Sequence, residues 1–208
     1  MKFSGKSFEM ALNYETYTRY SENLLEAISN DVNNPMKGYA GTNLHILRRL
    51  KKTVVLTEEL QAAIQKSPCL IFVILTEGYC GDSAQTFPVF GMMQEKFRNK
   101  IEIKVVLRDE HPDIADNYFR TKAIPRLICL DKQTLSEKFT WGSRPAGAQQ
   151  IMDELKGKDA SQQEKSVALH RWYALDKTIT LQKELTELLS MSIKIQDHNT
   201  LGECIVTK

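Results

Sequence analysis

The sequence lacks an excess of charge of either sign. Its 208 residues include 28 lysines and arginines and 26 aspartates and glutamates, which give a formal net charge of +2. Proteins that bind nucleic acids or anionic membranes through charge usually carry a strong basic excess. Because this chain has none, we expect neither a nucleic acid nor a membrane as its partner.

Long apolar runs are also missing. The longest, residues 69–75, is far shorter than the roughly 20 residues that cross a bilayer. The N-terminal segment MKFSGKSFEM contains no apolar stretch of the kind that a secretory signal peptide needs. We therefore expect a cytoplasmic protein, in a compartment that keeps thiols reduced.

Cysteine is scarce, and no two cysteines lie within three residues of each other. They are Cys69, Cys80, Cys129 and Cys204. This spacing excludes a local CxxC redox pair and a zinc knuckle. The four histidines are scattered without the spacing of a metal site. We expect no metal and no cofactor.

The composition is that of a globular protein, with 42% hydrophobic and 26% charged residues. The chain divides into three parts. Residues 1–54 form an N-terminal helical extension, and residues 55–156 form a domain of alternating strands and helices. Residues 157–208 form a C-terminal helix and tail that we expect to pack on the same domain.

Hydrophobic periodicity predicts the secondary structure of each part. Helices are expected at 14–30, 43–52, after Thr57, at 82–98, 113–119 and 145–155, and along a long segment after a linker at 156–161. A loop is expected across 33–41, and strands at 69–75, 101–107, 127–130 and 137–141. The β-branched residues 178–180 can interrupt the long helix. The alternation is typical of an α/β domain with a mixed sheet.

One motif carries chemical information. The stretch EGYCGDS, residues 77–83, places Cys80 where a buried strand ends and a helix begins. A thiol there meets backbone N–H groups and the positive end of the helix dipole, which favour the thiolate. Asp82 opposes this by a charge repulsion of similar size. Arg126 and Arg144 could shift the balance toward the thiolate.

Four features of the middle part resemble thioredoxins in their order and spacing. They are Pro88, eight residues after Cys80; the stretch Arg108–Pro112, similar to one that ends in Asp-x-x-x-Pro; Ala123–Leu127, similar to the cis-proline loop; and Trp141 with Gly142, similar to the last hairpin and its glycine. The resemblance covers about residues 55–156. It implies a thioredoxin-like fold, a central mixed sheet flanked by helices, here with helical additions at both ends.

The stretches Trp141–Pro145 and Trp172–Asp176 further resemble a bacterial branch of the thioredoxin-like superfamily, with a single active-site cysteine in a Cys-Gly-Asp-Ser motif and with helical extensions. The resemblance implies that Cys80 is the nucleophile and that Pro125 shapes a substrate groove. The residues expected to support or line that groove are Tyr79, Gly81, Asp82, Ser83, Ile124 and Arg126. An extended substrate would pair with the backbone of Ile124, as a strand adds to a sheet edge.

The chain departs from the dithiol thioredoxins at Ser83, where they have a second cysteine. Cys80 can therefore form a mixed disulfide, but no neighbouring thiol resolves it. Cys69 and Cys129 are expected to behave as small buried hydrophobic residues. Cys204, in the tail, could fold back toward Cys80.

Three functional hypotheses remain open. The first is a monothiol thiol–disulfide oxidoreductase or redox sensor, whose partner is a thiol- or disulfide-bearing protein or a low-molecular-weight thiol. Under this hypothesis we expect a lowered Cys80 pKa and a glutathione adduct. The second is a redox-inert thioredoxin-fold binding module that uses the helical additions. The third is iron–sulfur binding as in monothiol glutaredoxins, opposed by Asp82 in place of their phenylalanine and by the missing glycine pair. The oligomeric state is left open.

Overall fold

The apolar run that the sequence places at 69–75 forms the centre of the fold. In the computed structural model, which describes residues 11–114, 119 and 121–196, it becomes strand β1, Leu70–Thr76, with every residue buried. The other strands are β2 (Ile101–Leu107), β3 (Arg126–Asp131) and β4 (Glu137–Gly142). Their order is β2-β1-β3-β4, in which β1 pairs parallel with β2 and antiparallel with β3, and β3 pairs antiparallel with β4.

Helices flank this sheet. Those of the described residues are α1 (Tyr14–Asn30), α2 (Lys37–Thr53), α3 (Glu58–Lys66), α4 (Gly81–Lys96), α5 (Pro112–Ile114), α6 (Ala146–Gly157), α7 (Gln162–Asp176) and α8 (Ile179–Gln196). The arrangement confirms the predicted α/β fold with a central mixed sheet. Within the described ranges, no helix combines the length and the apolar character needed to cross a bilayer.

Local signals in the sequence account for several helix ends. The Thr57 side chain accepts a hydrogen bond from the Leu60 backbone N–H, so it caps α3 as its position suggested. The long C-terminal helical segment is interrupted between α7 and α8, where Lys177 and Thr178 adopt left-handed backbone angles with φ of 52° and 69°. This break includes Thr178, one of the β-branched residues 178–180 that were expected to interrupt the long helix.

The predicted loop across 33–41 is wrong in its second half. The turn is already complete at Lys37, whose backbone N–H donates to the Asn34 carbonyl oxygen, and α2 begins there. Gly38 and Gly41 therefore lie inside a helix, where each glycine costs about 1 kcal/mol relative to alanine. Burial of the helix face that carries Ala40 and Leu44 offsets this cost.

Two hydrophobic clusters lie on opposite faces of β1. Phe72 and Ile74 belong to the cluster that includes residues of α1, α2, α4 and α8. Val73 and Leu75 belong to the second cluster, against which Cys80 packs. The N-terminal helices pack on α4, since α1 contacts α2 and α2 contacts α4. The Cys80 end of α4 is therefore bordered by the N-terminal addition.

Candidate active site around Cys80

The cysteine of the EGYCGDS motif lies at the junction that the sequence predicted. Cys80 is the N-cap residue of α4, with an extended backbone (φ −72°, ψ 120°). The backbone N–H groups of Asp82 and Ser83, together with the Ser83 hydroxyl, act on the sulfur and favour its thiolate. The helix start thus supplies the donors expected there.

The cis-proline loop faces this cysteine. The Ile124–Pro125 peptide bond is cis, and the Cys80 thiol donates to the Ile124 carbonyl oxygen at 3.5 Å. A Cβ on Gly142 would lie 2.3 Å from the Pro125 carbonyl oxygen, and the φ of Gly142 is +118°. Only glycine fits at that position, since a side chain is disfavoured both by the contact and by the backbone angle.

The expectation of a lowered Cys80 pKa is wrong. Burial of the thiol raises its pKa above the ordinary cysteine value, and the negative charge of Asp82 raises it further. These effects exceed the stabilisation that Ser83 and the backbone N–H groups provide. An ordinary cysteine is a thiolate to only a few per cent at pH 7, so the Cys80 thiol is even less ionised.

The two arginines expected to favour the thiolate have other partners. Arg144 Nε lies 2.7 Å from Asp82 Oδ2, in a largely buried ion pair. Arg126 donates to the Gly142 carbonyl oxygen at 2.6 Å and lies over the Phe119 ring, 5.4 Å from its centroid. Their charges are therefore directed to a carboxylate, a carbonyl and a ring rather than to the sulfur.

Asp82 is the centre of a network that the sequence did not reveal. It is 8% exposed, and Tyr173 donates its hydroxyl to Oδ1 at 2.8 Å while Arg144 contacts Oδ2. Burial raises the pKa of Asp82, and the arginine and the tyrosine act to lower it. Tyr173 comes from α7, so the C-terminal addition reaches the residue that most opposes Cys80 ionisation by charge.

The position of a resolving thiol is occupied by a buried hydroxyl. Ser83 is 2% exposed and shares a short hydrogen bond of 2.5 Å with the Thr76 hydroxyl at the end of β1. Among the described residues the free thiols are Cys80 and Cys129. Cys69 is disulfide-bonded, so the expectation that it is simply a small buried hydrophobic residue is wrong. Cys129 is fully buried, and burial raises its pKa strongly. The tail position Cys204 lies outside the described residues.

The N-terminal helices hold the loop before Cys80 through its backbone. The Tyr17 hydroxyl donates to the Glu77 carbonyl oxygen at 3.1 Å, and the Asn43 amide donates to the Tyr79 carbonyl oxygen at 3.3 Å. The Tyr39 hydroxyl accepts the Gly81 backbone N–H at 3.0 Å. Three backbone groups of the loop are thus occupied by side chains of α1 and α2.

A second network ties Tyr79 to the segment after β2. The Tyr79 hydroxyl donates to Asp109 Oδ2 at 2.6 Å and accepts from Arg108 at 2.7 Å. The Asp109 backbone N–H donates to Glu77 Oε1 at 2.7 Å. Burial raises the pKa of the Glu77 carboxyl, and the neighbouring Asp109 charge adds to this effect. Sequence spacing identified the segment Arg108–Pro112 but not these contacts.

Of the residues expected at the site, the described structure places Tyr79, Gly81, Asp82 and Ser83 on the Cys80 loop and the first turn of α4, with Ile124 and Pro125 opposite. Arg126 lies beside them, but its guanidinium donates a hydrogen bond to the Gly142 carbonyl oxygen at the end of β4. Sequence reasoning missed the positions that act across the fold. Those are Tyr17, Tyr39, Asn43 and Tyr173, whose side chains contact the loop or Asp82.

Comparison with known proteins agrees with this architecture. A family model described as thioredoxin matches residues 29–156. A crystal structure of a protein of unknown function from Pseudomonas aeruginosa is similar, with a TM-score of 0.55, 12% identity and coverage of 95% of this chain and 99% of that one. An HIV epitope scaffold is similar with a TM-score of 0.52 and 12% identity, over 93% and 96% of the two chains.

No curated protein matches the sequence. The two solved structures support the fold alone, because their sequence identities are low. The family model also supports the family assignment, since it spans well over half of the chain and includes both the Cys80 loop and the cis-proline loop. The chain therefore belongs to the thioredoxin family.

Proposed function

We propose that this protein is a monothiol member of the family, which forms a mixed disulfide through Cys80. One observation carries the proposal: the sulfur of the partly buried residue Cys80 lies at the start of α4, 3.5 Å from the Ile124 carbonyl oxygen beside cis-Pro125. Ser83 stands where a resolving thiol would be needed for dithiol chemistry.

The proposed exchange is balanced in atoms and electrons. The Cys80 S–H bond and the S–S bond of a disulfide R–S–S–R break, and a Cys80–S–S–R bond and an R–S–H bond form. Release of Cys80 then needs a second thiol from outside the protein, such as a low-molecular-weight thiol. An adjacent internal thiol can act at an effective concentration of roughly 10⁵ M or more, so this release is slower than in a dithiol protein.

The raised Cys80 pKa limits the rate of this exchange at neutral pH. The thiolate is the attacking species, and burial together with Asp82 keeps its population low. The rate of mixed-disulfide formation should therefore rise with pH until the thiol has ionised. A thioredoxin-like general reductant of protein disulfides is not what this geometry favours.

Mixed-disulfide formation is tested directly by intact-protein mass spectrometry after incubation with oxidised glutathione. We expect one adduct, located at Cys80, which Cys80→Ser abolishes and Cys129→Ser leaves unchanged, because the Cys129 thiol is fully buried. Failure of Cys80 to form an adduct even at pH 9.5 would contradict the proposal.

A gain-of-function variant gives an independent test. Ser83→Cys restores the spacing of a dithiol thioredoxin, so oxidation should close a disulfide between Cys80 and the introduced thiol. Reduction of insulin by this variant should exceed that by the wild-type protein by at least about tenfold, since release of Cys80 no longer depends on an external thiol. Ser83→Ala, which adds no thiol, is the matched control. An equal rate for Ser83→Cys and Ser83→Ala would argue against a site built for disulfide exchange.

The second candidate, a redox-inert binding module, is favoured by a different observation. The backbone groups of the Cys80 loop are held by Tyr17, Tyr39 and Asn43, and the Cys80 thiol ionises with difficulty. If the protein is a redox-inert module, Cys80→Ser introduced at the native locus should give the wild-type phenotype. This should hold in every condition where deletion of the gene has an effect. A phenotype equal to that of the deletion rules this candidate out.

A further inference from the structure

A small cavity opens beside Gly81 and Asp82, directly after Cys80 in the chain. Its volume is about 60 Å³, and side chains from α7 form one wall. A water molecule takes up about 30 Å³ in the liquid, so the cavity admits a group of two or three heavy atoms and not a whole ligand.

The ionisable groups that line this cavity leave one positive charge without a partner. Asp82 and Arg144 neutralise each other in their ion pair. Burial lowers the pKa of His170, against the opposing effect of Asp82, and so favours the neutral imidazole, which still has one N–H to donate. Lys165, half-buried in the wall, has no carboxylate within 4 Å in the described part of the chain.

Glu164, the acid next to Lys165 in sequence, interacts with the Lys165 charge but does not line the cavity. Glu164 accepts from both the backbone N–H and the hydroxyl of Ser161, at 2.8 and 2.7 Å, and so caps the start of α7. Protonation of Asp82, whose pKa burial raises, would only make the cavity more positive. A carboxylate has the size and the charge that this cavity accepts.

On this basis, and resting on the function proposed above, we infer that the partner of Cys80 is a small disulfide that carries a carboxylate. Lys165 binds the carboxylate in the cavity, and His170 is placed to donate a hydrogen bond to it. The disulfide then extends past Gly81 to the Cys80 sulfur. Attack by Cys80 breaks the S–S bond of the ligand, forms the mixed disulfide, and releases the other half as a thiol that takes up the Cys80 proton.

Such docking compensates for the low thiolate population of Cys80. Binding through a second contact raises the local concentration of the disulfide at the sulfur without any change in the thiol itself. The contact with Lys165 should therefore act on the rate with anionic disulfides and leave the rate with uncharged ones unchanged.

The test compares three disulfides at one pH: oxidised glutathione, which carries carboxylates; bis(2-hydroxyethyl) disulfide, which is uncharged; and cystamine, which is cationic. The second-order rate of Cys80 adduct formation is followed by mass spectrometry. We expect Lys165→Gln to slow the reaction with oxidised glutathione by about fivefold, the size of a partly exposed charge contact. The rate with bis(2-hydroxyethyl) disulfide should not change.

Two variants make the comparison specific. Lys165→Arg keeps the charge and should restore most of the rate with oxidised glutathione. Arg171→Gln removes the same charge from the same helix, but Arg171 lines a different cavity with Trp172 and Leu175, so it should have no selective effect. Each variant is also checked for an unchanged thermal unfolding midpoint.

The outcomes separate this inference from the proposed function. Equal rates for all three disulfides, or an equal effect of Lys165→Gln on all three, would overturn the carboxylate site while Cys80 exchange still stands. Absence of any adduct with any of the three would overturn both.

Discussion

The two sides of the Cys80 loop are held by different kinds of contact. On one side, α1 and α2 contribute neutral groups, the hydroxyls of Tyr17 and Tyr39 and the amide of Asn43, which bond to loop backbone. On the other side, the Asp82 carboxylate forms an ion pair with Arg144 and accepts a hydrogen bond from the Tyr173 hydroxyl. The neutral contacts fix where the loop lies, and the charged contacts determine how strongly Asp82 disfavours the Cys80 thiolate.

This difference separates stability from reactivity. Variants on the α1–α2 side should change the free energy of unfolding and leave the ionisation of Cys80 nearly unchanged. Variants on the Asp82 side should change the pH dependence of stability or of Cys80 reactivity. Substitutions at buried residues around the loop test that separation.

Tyr17→Ala should destabilise the protein by about 3–5 kcal/mol, as is typical for deletion of a buried aromatic ring. The Tyr17 ring is 2% exposed and lies 4.4 Å from the Phe87 ring, centroid to centroid. Tyr17→Phe keeps the ring and removes only the hydrogen bond to the Glu77 carbonyl, so it should cost about 1 kcal/mol. Urea unfolding of both variants measures the two effects, and a loss below about 1 kcal/mol for Tyr17→Ala would contradict the packing described here.

Tyr173→Phe should destabilise the protein by about 1.5–3 kcal/mol, the size of a buried hydrogen bond to a charged group. The Tyr173 hydroxyl lowers the pKa of Asp82, so its contribution is largest at pH values where the carboxyl is ionised. The difference in unfolding free energy between wild type and variant should therefore shrink as the pH falls toward 4. A difference that stays constant from pH 9 to pH 4 would show that the hydroxyl does not act on the Asp82 charge.

Glu77→Gln should have the smallest effect on stability, at most about 1 kcal/mol, because glutamine can still accept the Asp109 backbone N–H. Burial raises the folded-state pKa of Glu77 above 4.5. As the pH rises, the Glu77 carboxyl therefore stays protonated to a higher pH in the folded protein than in the unfolded chain. The wild type therefore loses stability relative to Glu77→Gln as the pH rises above 4.5. Unfolding curves from pH 4 to pH 8 measure this divergence, and the opposite slope would contradict the raised pKa.

Local patterns in the sequence were sufficient for much of the fold. The run at 69–75 is apolar over a strand length, and Thr57 has a helix-capping side chain followed by acidic residues; each of these signals is contained in a few neighbouring positions. The junction at Cys80 was found in the same way, whereas the loop at Pro125 was expected from the resemblance to thioredoxins. Strand order could not be read from such patterns, since pairing of β1 with both β2 and β3 depends on the whole chain.

The contacts around the site left no local pattern. Tyr173 and Asp82 are 91 residues apart, and Tyr39 and Gly81 are 42 apart, so neither pair has a spacing that periodicity can detect. The ionisation of Cys80 was unpredictable for a related reason. The helix start, which favours the thiolate, is visible in the sequence, whereas burial, which outweighs it, depends on packing of distant segments.

The most direct test of this account is the pH dependence of Cys80 alkylation by iodoacetamide, with the modified residue mapped by mass spectrometry, in the wild type and in Asp82→Asn. The account predicts that wild-type Cys80 ionises with a pKa above the ordinary cysteine value of about 8.5. It also predicts that Asp82→Asn lowers this pKa, because removal of the carboxylate charge removes its repulsion of the thiolate. A wild-type pKa at or below the ordinary value, or no change in Asp82→Asn, would contradict the account.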